Sequence, residues 1–230
     1  MTKKTKVSAK DIYDELVNNF KIKNKIGSVQ IKLGSITAKY NGKDAIGDLL
    51  QEWIGAWMKS KNYYFRTKAN TQEFPDFLLD ETDDKGLLEL KTFNANKGPA
   101  FDIAAFDSYC KSLLIHPERL DADYLIISYK MIDSALTIKE VWLKKVWEIA
   151  GTSDKYFINV QAKNYKLDNI RPVLWYLTSK RLKNVPFKSK TEFIEAISNI
   201  HNSYSQCDTY KDNWLTNVKT KYEQNTGTKF

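Results

Sequence analysis

From Tyr124 to Tyr129 the chain is an apolar run broken only by Ser128. A strand without polar alternation is buried on both faces, and both faces need other elements packed over them. The flanking pattern supplies those elements. Asp44 to Ser60 carries Ile46, Leu49, Leu50, Trp53, Ile54, Trp57 and Met58 at helical spacing, so the spacing predicts an amphipathic helix there. Pro99 opens a second expected helix, Phe101 to Leu114, with Ile103, Phe106, Cys110, Leu113 and Leu114 inward. Short strand-like runs at Tyr63–Arg66, Phe74–Asp80, Leu87–Phe93 and Leu136–Leu143 complete an α/β pattern, a central mixed sheet flanked by helices.

The ends are simpler. Asp11 to Phe20 reads as a short helix, and Ser28 to Tyr40 as a hairpin turning at Gly34-Ser35. Tyr156 to Val160 is a weaker strand, and Ala162 to Lys188 reads as irregular and basic. Ser189 and Glu192 form a capping box ahead of Phe193, Ile194, Ile197, Ile200 and Tyr204, and a last helix is expected over Thr209 to Gln224. With 230 residues and no repeat or low-complexity linker, the chain reads as one domain over 1–230. Its core is expected over about 44–150, followed by a basic, mostly helical extension over about 151–230.

No apolar segment reaches membrane-spanning length, and residues 1–10 are basic and polar without a secretory apolar core. Cys110 and Cys207 are far apart and belong to no CxxC or Cys/His cluster, which argues against a structural zinc site. A soluble, reduced, cytoplasmic protein is expected, with Cys110 an inert thiol on the inward side of its helix. His116 and His201 are the only histidines, too few for a paired-histidine nuclease centre. The net charge of +8 points to a polyanion partner, and only Arg66, Arg119, Arg171 and Arg181 among the basic residues are arginine. Lysine, a hydrated point charge, suits backbone phosphate better than bidentate reading of bases.

Against that basic background, Glu73 to Asp84 holds Glu73, Asp76, Asp80, Glu81, Asp83 and Asp84 without a lysine or arginine. The polar turn Glu81–Gly86 then leads into Gly86-Leu87-Leu88-Glu89-Leu90-Lys91. Side chains alternate along a strand, so Glu89 and Lys91 share one face and Leu88 and Leu90 the other. Ionic groups on an apolar strand are costly unless they are paired or put to use. A hairpin brings Asp76 beside Glu89, and two adjacent carboxylates suit a hard divalent cation such as Mg²⁺. On the preceding helix, Gln51 lies at the border of the buried face and Glu52 on the more exposed side. Gln51 has the better position and Glu52 the better metal chemistry.

Pro75-Asp76 with Glu89-Leu90-Lys91, behind an amphipathic helix and ahead of a helix and a buried strand, resembles the PD-(D/E)xK nuclease superfamily. Gly47-Asp48-Leu49-Leu50-Gln51 resembles its helix motif, with Gln51 at the usual Glu position. Four further stretches extend the likeness over most of the chain. They are Asn70–Asp76, Phe101–Ala104 through Tyr109-Cys110, Leu120–Ile126 and Trp142–Ile149. They are similar to the NgoBV/NlaIV family of type II restriction endonucleases. The resemblance implies a restriction-endonuclease-like α/β fold in a prokaryotic cytoplasmic enzyme. It implies a homodimer cutting both strands of double-stranded DNA at a palindromic GGNNCC-like site, leaving 5′-phosphates.

On that reading Asp76, Glu89 and the Leu90 carbonyl hold one or two Mg²⁺ ions, Lys91 orients water, and Gln51 or Glu52 completes the site. Asn94, Asn96 and Lys97 follow the strand and are candidates for base contact. Lys144, Lys145, Lys163, Arg171, Lys180 and Arg181 are candidates for phosphate or guanine contact. Two other classes fit the same residues: a repair, recombination or structure-selective nuclease, and a non-catalytic nucleic-acid-binding protein with a structural acid pair.

Overall fold

A computed structural model describes residues 3–40, 42, 45–70, 73–163, 166–179, 182–203 and 213–230. The chain divides into two compact units interleaved in sequence. One comprises 1–99 and 123–143, the other 100–122 and 144–230.

The first unit is built on a five-stranded sheet. Its strands are β1 (Ile26–Ser28), β4 (Phe77–Leu78), β5 (Leu87–Asn94), β6 (Asp123–Ile132) and β7 (Ala135–Lys145), in the order β1-β7-β6-β5-β4. Two strands outside this sheet, β2 (Gln30–Leu33) and β3 (Ile36–Lys39), form a separate hairpin. The sheet is mixed: β4 runs antiparallel to β5, β5 parallel to β6, and β1 antiparallel to β7. The run at Tyr124–Tyr129 is buried throughout, as its composition requires. In the parallel register Leu88 and Leu90 align with Asp123 and Leu125, and Glu89 and Lys91 with Tyr124 and Ile126. The Leu88/Leu90 face lies in the core with Ile12 and Leu16 of the first helical segment and with Ile46, Leu50, Ile54, Trp57 and Met58 of the long helix.

Helix α1 (Ala9–Asp14) opens with Ser8, whose Oγ accepts from the Asp11 N–H while the Asp11 carboxylate accepts from the Ser8 N–H. It continues as a π-helical turn, Glu15–Asn19, where one α-helix over Asp11–Phe20 was expected. Helix α2 spans Ile46–Ser60. Leu49 and Trp53 were expected in its core and are instead partly exposed, with Trp53 lying 5.6 Å from the Phe20 ring. The hairpin turns at Gly34, whose φ is +59°, and its strands are solvent-exposed. Between β4 and β5 the turn closes at Gly86, φ +61°, where a Cβ would lie 2.9 Å from the Asp80 nitrogen and 3.0 Å from the Leu79 Cβ. Gly86→Ala is therefore expected to destabilise the protein by about 1–3 kcal/mol in urea melts.

In the second unit, helix α3 covers only Phe106–Leu113. The expected helix from Phe101 fails at its first turn because that backbone is used in a sheet. Ile103 N–H donates to the Ile170 carbonyl at 2.9 Å, and Ala104–Ala105 pair with Asn169 and Ile170. The same pairing gives the basic segment after Ala162 a strand, Lys166–Ile170, which also pairs with Val160–Lys163. Helix α4 (Lys190–Ser203) starts with Ser189 Oγ accepting from Glu192 N–H, while the Glu192 carboxylate accepts from Lys188 N–H. Helix α5 is described over Trp214–Thr226, and Thr209 at its expected start lies outside the described residues, as do Tyr204 and Cys207. Cys110 is buried, and its carbonyl accepts from Trp214 Nε1 at 3.0 Å. Among the described residues no helix is long and apolar enough to cross a membrane.

His201 is buried in α4, with ring centroids 5.9 Å from Phe106 and 4.8 Å from Trp214. Burial pushes its pKa down to about 4, against a weaker upward pull from Asp107. The unfolded chain binds this proton near pH 6.5, so His201 imposes no cost above that pH. As pH falls from about 6.5 to about 4 it removes at most about 3 kcal/mol of stability. Chemical melts of His201→Phe across that window are expected to show a correspondingly shallower acid loss than wild type.

Candidate active site

The acids meet where β4 enters the sheet. The Phe74–Pro75 peptide is cis, and Phe77 pairs with Leu88, which puts Asp76 level with Glu89 on the same face. Asp76 N–H donates to Glu89 Oε2 at 3.2 Å, and Asp76 Oδ2 accepts from Leu90 N–H at 2.7 Å. Lys91 Nζ lies 2.9 Å from Glu89 Oε1. The Glu89 and Lys91 side chains are largely covered, 10% and 22% exposed. Burial raises the Asp76 carboxyl to about 7, with the Glu89 charge adding to the rise and the Leu90 N–H and Lys91 opposing it. The Asp76 carboxyl thus sits where burial and the neighbouring Glu89 charge oppose its ionisation, and a cation placed there would relieve that penalty.

Helix α2 faces this pair across a cleft of about 450 Å³, lined by Gln51, Glu52, Gly55, Ala56 and Lys59 on one wall and Pro75, Asp76 and Phe77 on another. Gln51 and Glu52 both reach the cleft. Asp48 also matters, because its charge contributes to the raised pKa of Asp76. Asp48, Gln51 and Glu52 stand at i, i+3 and i+4, one stripe of the helix. That spacing could have singled out Asp48 beforehand, but its position relative to Asp76 depends on how α2 docks on the sheet. The Cβ position of Gly47 lies 3.4 Å from Thr92 Oγ1, so the first turn of α2 approaches β5 closely.

The acidic run does not act as one block. Glu81 pairs with Lys6 at 3.0 Å and Asp83 with Arg66 at 2.7 Å. Arg66 also donates to the Asp80 and Thr82 carbonyls, which fixes the turn. Asp76 alone of that run joins Glu89, and Glu73 lines the cleft. Among the described residues no group of three or more His, Cys, Asp and Glu side chains has metal-binding geometry. The donor set is two carboxylates and backbone oxygen, which suits Mg²⁺, an ion that retains several of its waters. The Leu90 N–H points at Asp76, and in an extended strand the carbonyl of the same residue faces the same edge.

Beyond β5, Asn94 turns the chain. Its Oδ1 accepts from Asn96 N–H at 2.9 Å and its carbonyl accepts from Lys97 N–H at 2.9 Å, leaving Asn96 and Lys97 exposed. In the second unit, Lys144 pairs with Glu148 at 2.9 Å, Lys145 donates to the Asp121 carbonyl at 2.6 Å, and Arg171 engages Asp102 and the Ala100 carbonyl. Lys144 pairs within its own segment, whereas Lys145 and Arg171 have intramolecular roles that their local sequence does not reveal. Lys163 is exposed, and Lys180 and Arg181 lie outside the described residues.

A mixed sheet carrying a carboxylate pair and a lysine on adjacent strands is the frame of a restriction-endonuclease-like fold, and known proteins bear this out. The solved structure of NlaIV restriction endonuclease aligns with a TM-score of 0.91 at 35% identity, covering 98% of this chain and 92% of that one. The type II restriction enzyme NlaIV of Neisseria lactamica is 40% identical over 195 residues, 84% of this chain and 79% of that protein. The type II restriction enzyme NgoBV of Neisseria gonorrhoeae is 38% identical over 160 residues, 69% of this chain and 91% of that protein. The NgoBV restriction endonuclease family model matches residues 6–230. The chain belongs to this NgoBV family of type II restriction endonucleases, nucleases that act on DNA.

Proposed function

We propose that the enzyme is Mg²⁺-dependent and cuts duplex DNA at a short palindromic site of GGNNCC form, leaving 5′-phosphate and 3′-hydroxyl ends. The observation that carries the reading is the Asp76–Glu89 pair, with the Asp76 carboxyl raised to about 7 and Lys91 2.9 Å from Glu89. When bound, Mg²⁺ would supply Lewis acidity toward water and the scissile phosphate. Asp76, Glu89 and the Leu90 carbonyl would hold that ion. Lys91 orients the attacking water beside the carboxylates and stabilises negative charge gathering on the phosphate. Gln51 and Glu52 line the same cleft from α2, with Asp48 on the same helical stripe, where they would position water. Asn94, Asn96 and Lys97 lie at the end of the catalytic strand and contact bases near the cut. Lys144, Lys145 and Arg171 serve the DNA backbone or guanines after exchanging their internal partners, and Lys163 and Arg181 serve the same contacts.

Each chain carries one such carboxylate pair among its described residues, whereas a duplex has two strands, so the working unit is a homodimer with one site per strand. The enzyme acts in the prokaryotic cytoplasm. Digestion of a long duplex of known sequence tests the reading. Discrete bands that require Mg²⁺, with fragment ends inside GGNNCC and religation lost after phosphatase treatment, are expected. A smear, or cutting confined to branched DNA, would point to a repair-type nuclease instead.

A further inference from the structure

The cleft that contains Asp76 extends well past it, along the last two turns of α2. Gln51 and Glu52 stand at one end and Lys59 at the other, eight residues or about 12 Å further along the helix axis. That distance corresponds to roughly three base steps along a duplex. Between the ends the exposed helix surface is Ala56, which leaves the floor open. The cleft is also lined by Lys59 and Lys68 and by Lys4 from the N-terminal segment.

Lys4 is brought there by a dedicated contact. The segment pairs with the strand-like residues after α2: Thr5 N–H donates to the Asn62 carbonyl at 2.9 Å, and Tyr64 N–H to the Thr5 carbonyl at 2.8 Å. Lys59 Nζ stands 6.0 Å from the Phe65 ring centroid, and Lys68 only reaches Glu73 at 3.9 Å. Among the described residues neither Lys4 nor Lys59 has a carboxylate within ion-pair distance. Arg66, the other cation in the cleft, is committed to the β4–β5 turn. The cleft thus holds the Asp76 carboxyl together with three lysine amines.

We propose that these three lysines form a binding site for the DNA strand running through the cleft away from the scissile phosphate, with Lys4, Lys59 and Lys68 each on a phosphate within about three steps of the cut. The inference rests on the nuclease reading above. These are positioning residues: they hold the strand in register and touch no reacting atom.

The test uses the full-length protein and a duplex fragment that the wild type is shown to cut, with Ca²⁺ replacing Mg²⁺ so that binding is read without cleavage. The logarithm of affinity falls with the logarithm of salt by about 0.9 per phosphate contact. Losing three contacts in the Lys4→Ala/Lys59→Ala/Lys68→Ala variant should flatten that slope by about 2.7. Between 50 and 200 mM salt the wild type should then lose about 40-fold more affinity than the variant. The triple Lys→Arg variant should restore the slope. Ala56→Glu, an exposed and helix-compatible change, should weaken binding by placing a carboxylate in the strand's path. A triple variant with the wild-type slope, or an Ala56→Glu variant that binds like wild type, would overturn the proposal. Failure of the wild type to cut any duplex would instead refute the nuclease reading itself.

Discussion

Lys91→Ala is expected to lower the single-turnover cleavage rate by at least about 10²–10³-fold while leaving DNA affinity in Ca²⁺ close to wild type. The magnitude is that of removing one preorganised group that stabilises transition-state charge. The split between rate and affinity follows from position. Lys91 sits 2.9 Å from Glu89 on β5 with its side chain largely covered, the position the proposed role on the reacting phosphate requires and one unlike that of an exposed cation tracking the backbone. Rapid-quench cleavage and equilibrium binding on the same oligonucleotide separate the two quantities. A variant that loses affinity and rate in equal measure would reassign Lys91 to simple phosphate binding.

Asp76→Asn should abolish cleavage and yet stabilise the cation-free protein. The Asp76 carboxyl is raised from 3.8 to about 7 by burial and by the Glu89 charge. A carboxyl with a raised folded pKa binds its proton more tightly in the fold, so its stabilising contribution is complete below about pH 4. That contribution is lost as pH rises from about 4 to about 7. Asparagine stays neutral and keeps an oxygen for the Leu90 N–H. Above pH 7 the variant should therefore be more stable by about 2–4 kcal/mol in urea melts without divalent cation. Mg²⁺ should raise the stability of the wild type at pH 8 and leave the variant almost unchanged. A wild type indifferent to Mg²⁺ at pH 8 would contradict the assignment of Asp76 as a ligand.

The part of this site that could be read from the sequence is the part set by strand periodicity. Glu89 and Lys91 share a face because they are two apart, and Asp76 meets Glu89 because a short polar turn joins two strands in antiparallel register. Helix α2 was legible for the same reason, through the spacing of Ile46, Leu50, Ile54, Trp57 and Met58. What stayed hidden depends on partners distant in sequence. The charge of Asp48 reaches Asp76 only because of how α2 docks on the sheet. Glu81 and Asp83 leave the acidic cluster because Lys6 and Arg66 arrive from elsewhere. Phe101–Ala105 carries a helical pattern, but its backbone groups pair with Lys166–Ile170, more than sixty residues away. A basic patch is hard to read for a related reason. Lysine and arginine head groups are long and mobile, so Lys145 and Arg171 can satisfy internal carbonyls and carboxylates where the local sequence suggests a DNA surface.

We propose that cutting occurs at the Asp76–Glu89 pair. One digest tests it most directly: wild type and Asp76→Asn, purified identically, on the same long duplex DNA at pH 8 with and without Mg²⁺. Discrete fragments from the wild type only when Mg²⁺ is present, and intact DNA from Asp76→Asn in both conditions, are the expected results. The same fragments from both proteins would place the chemistry elsewhere in the chain.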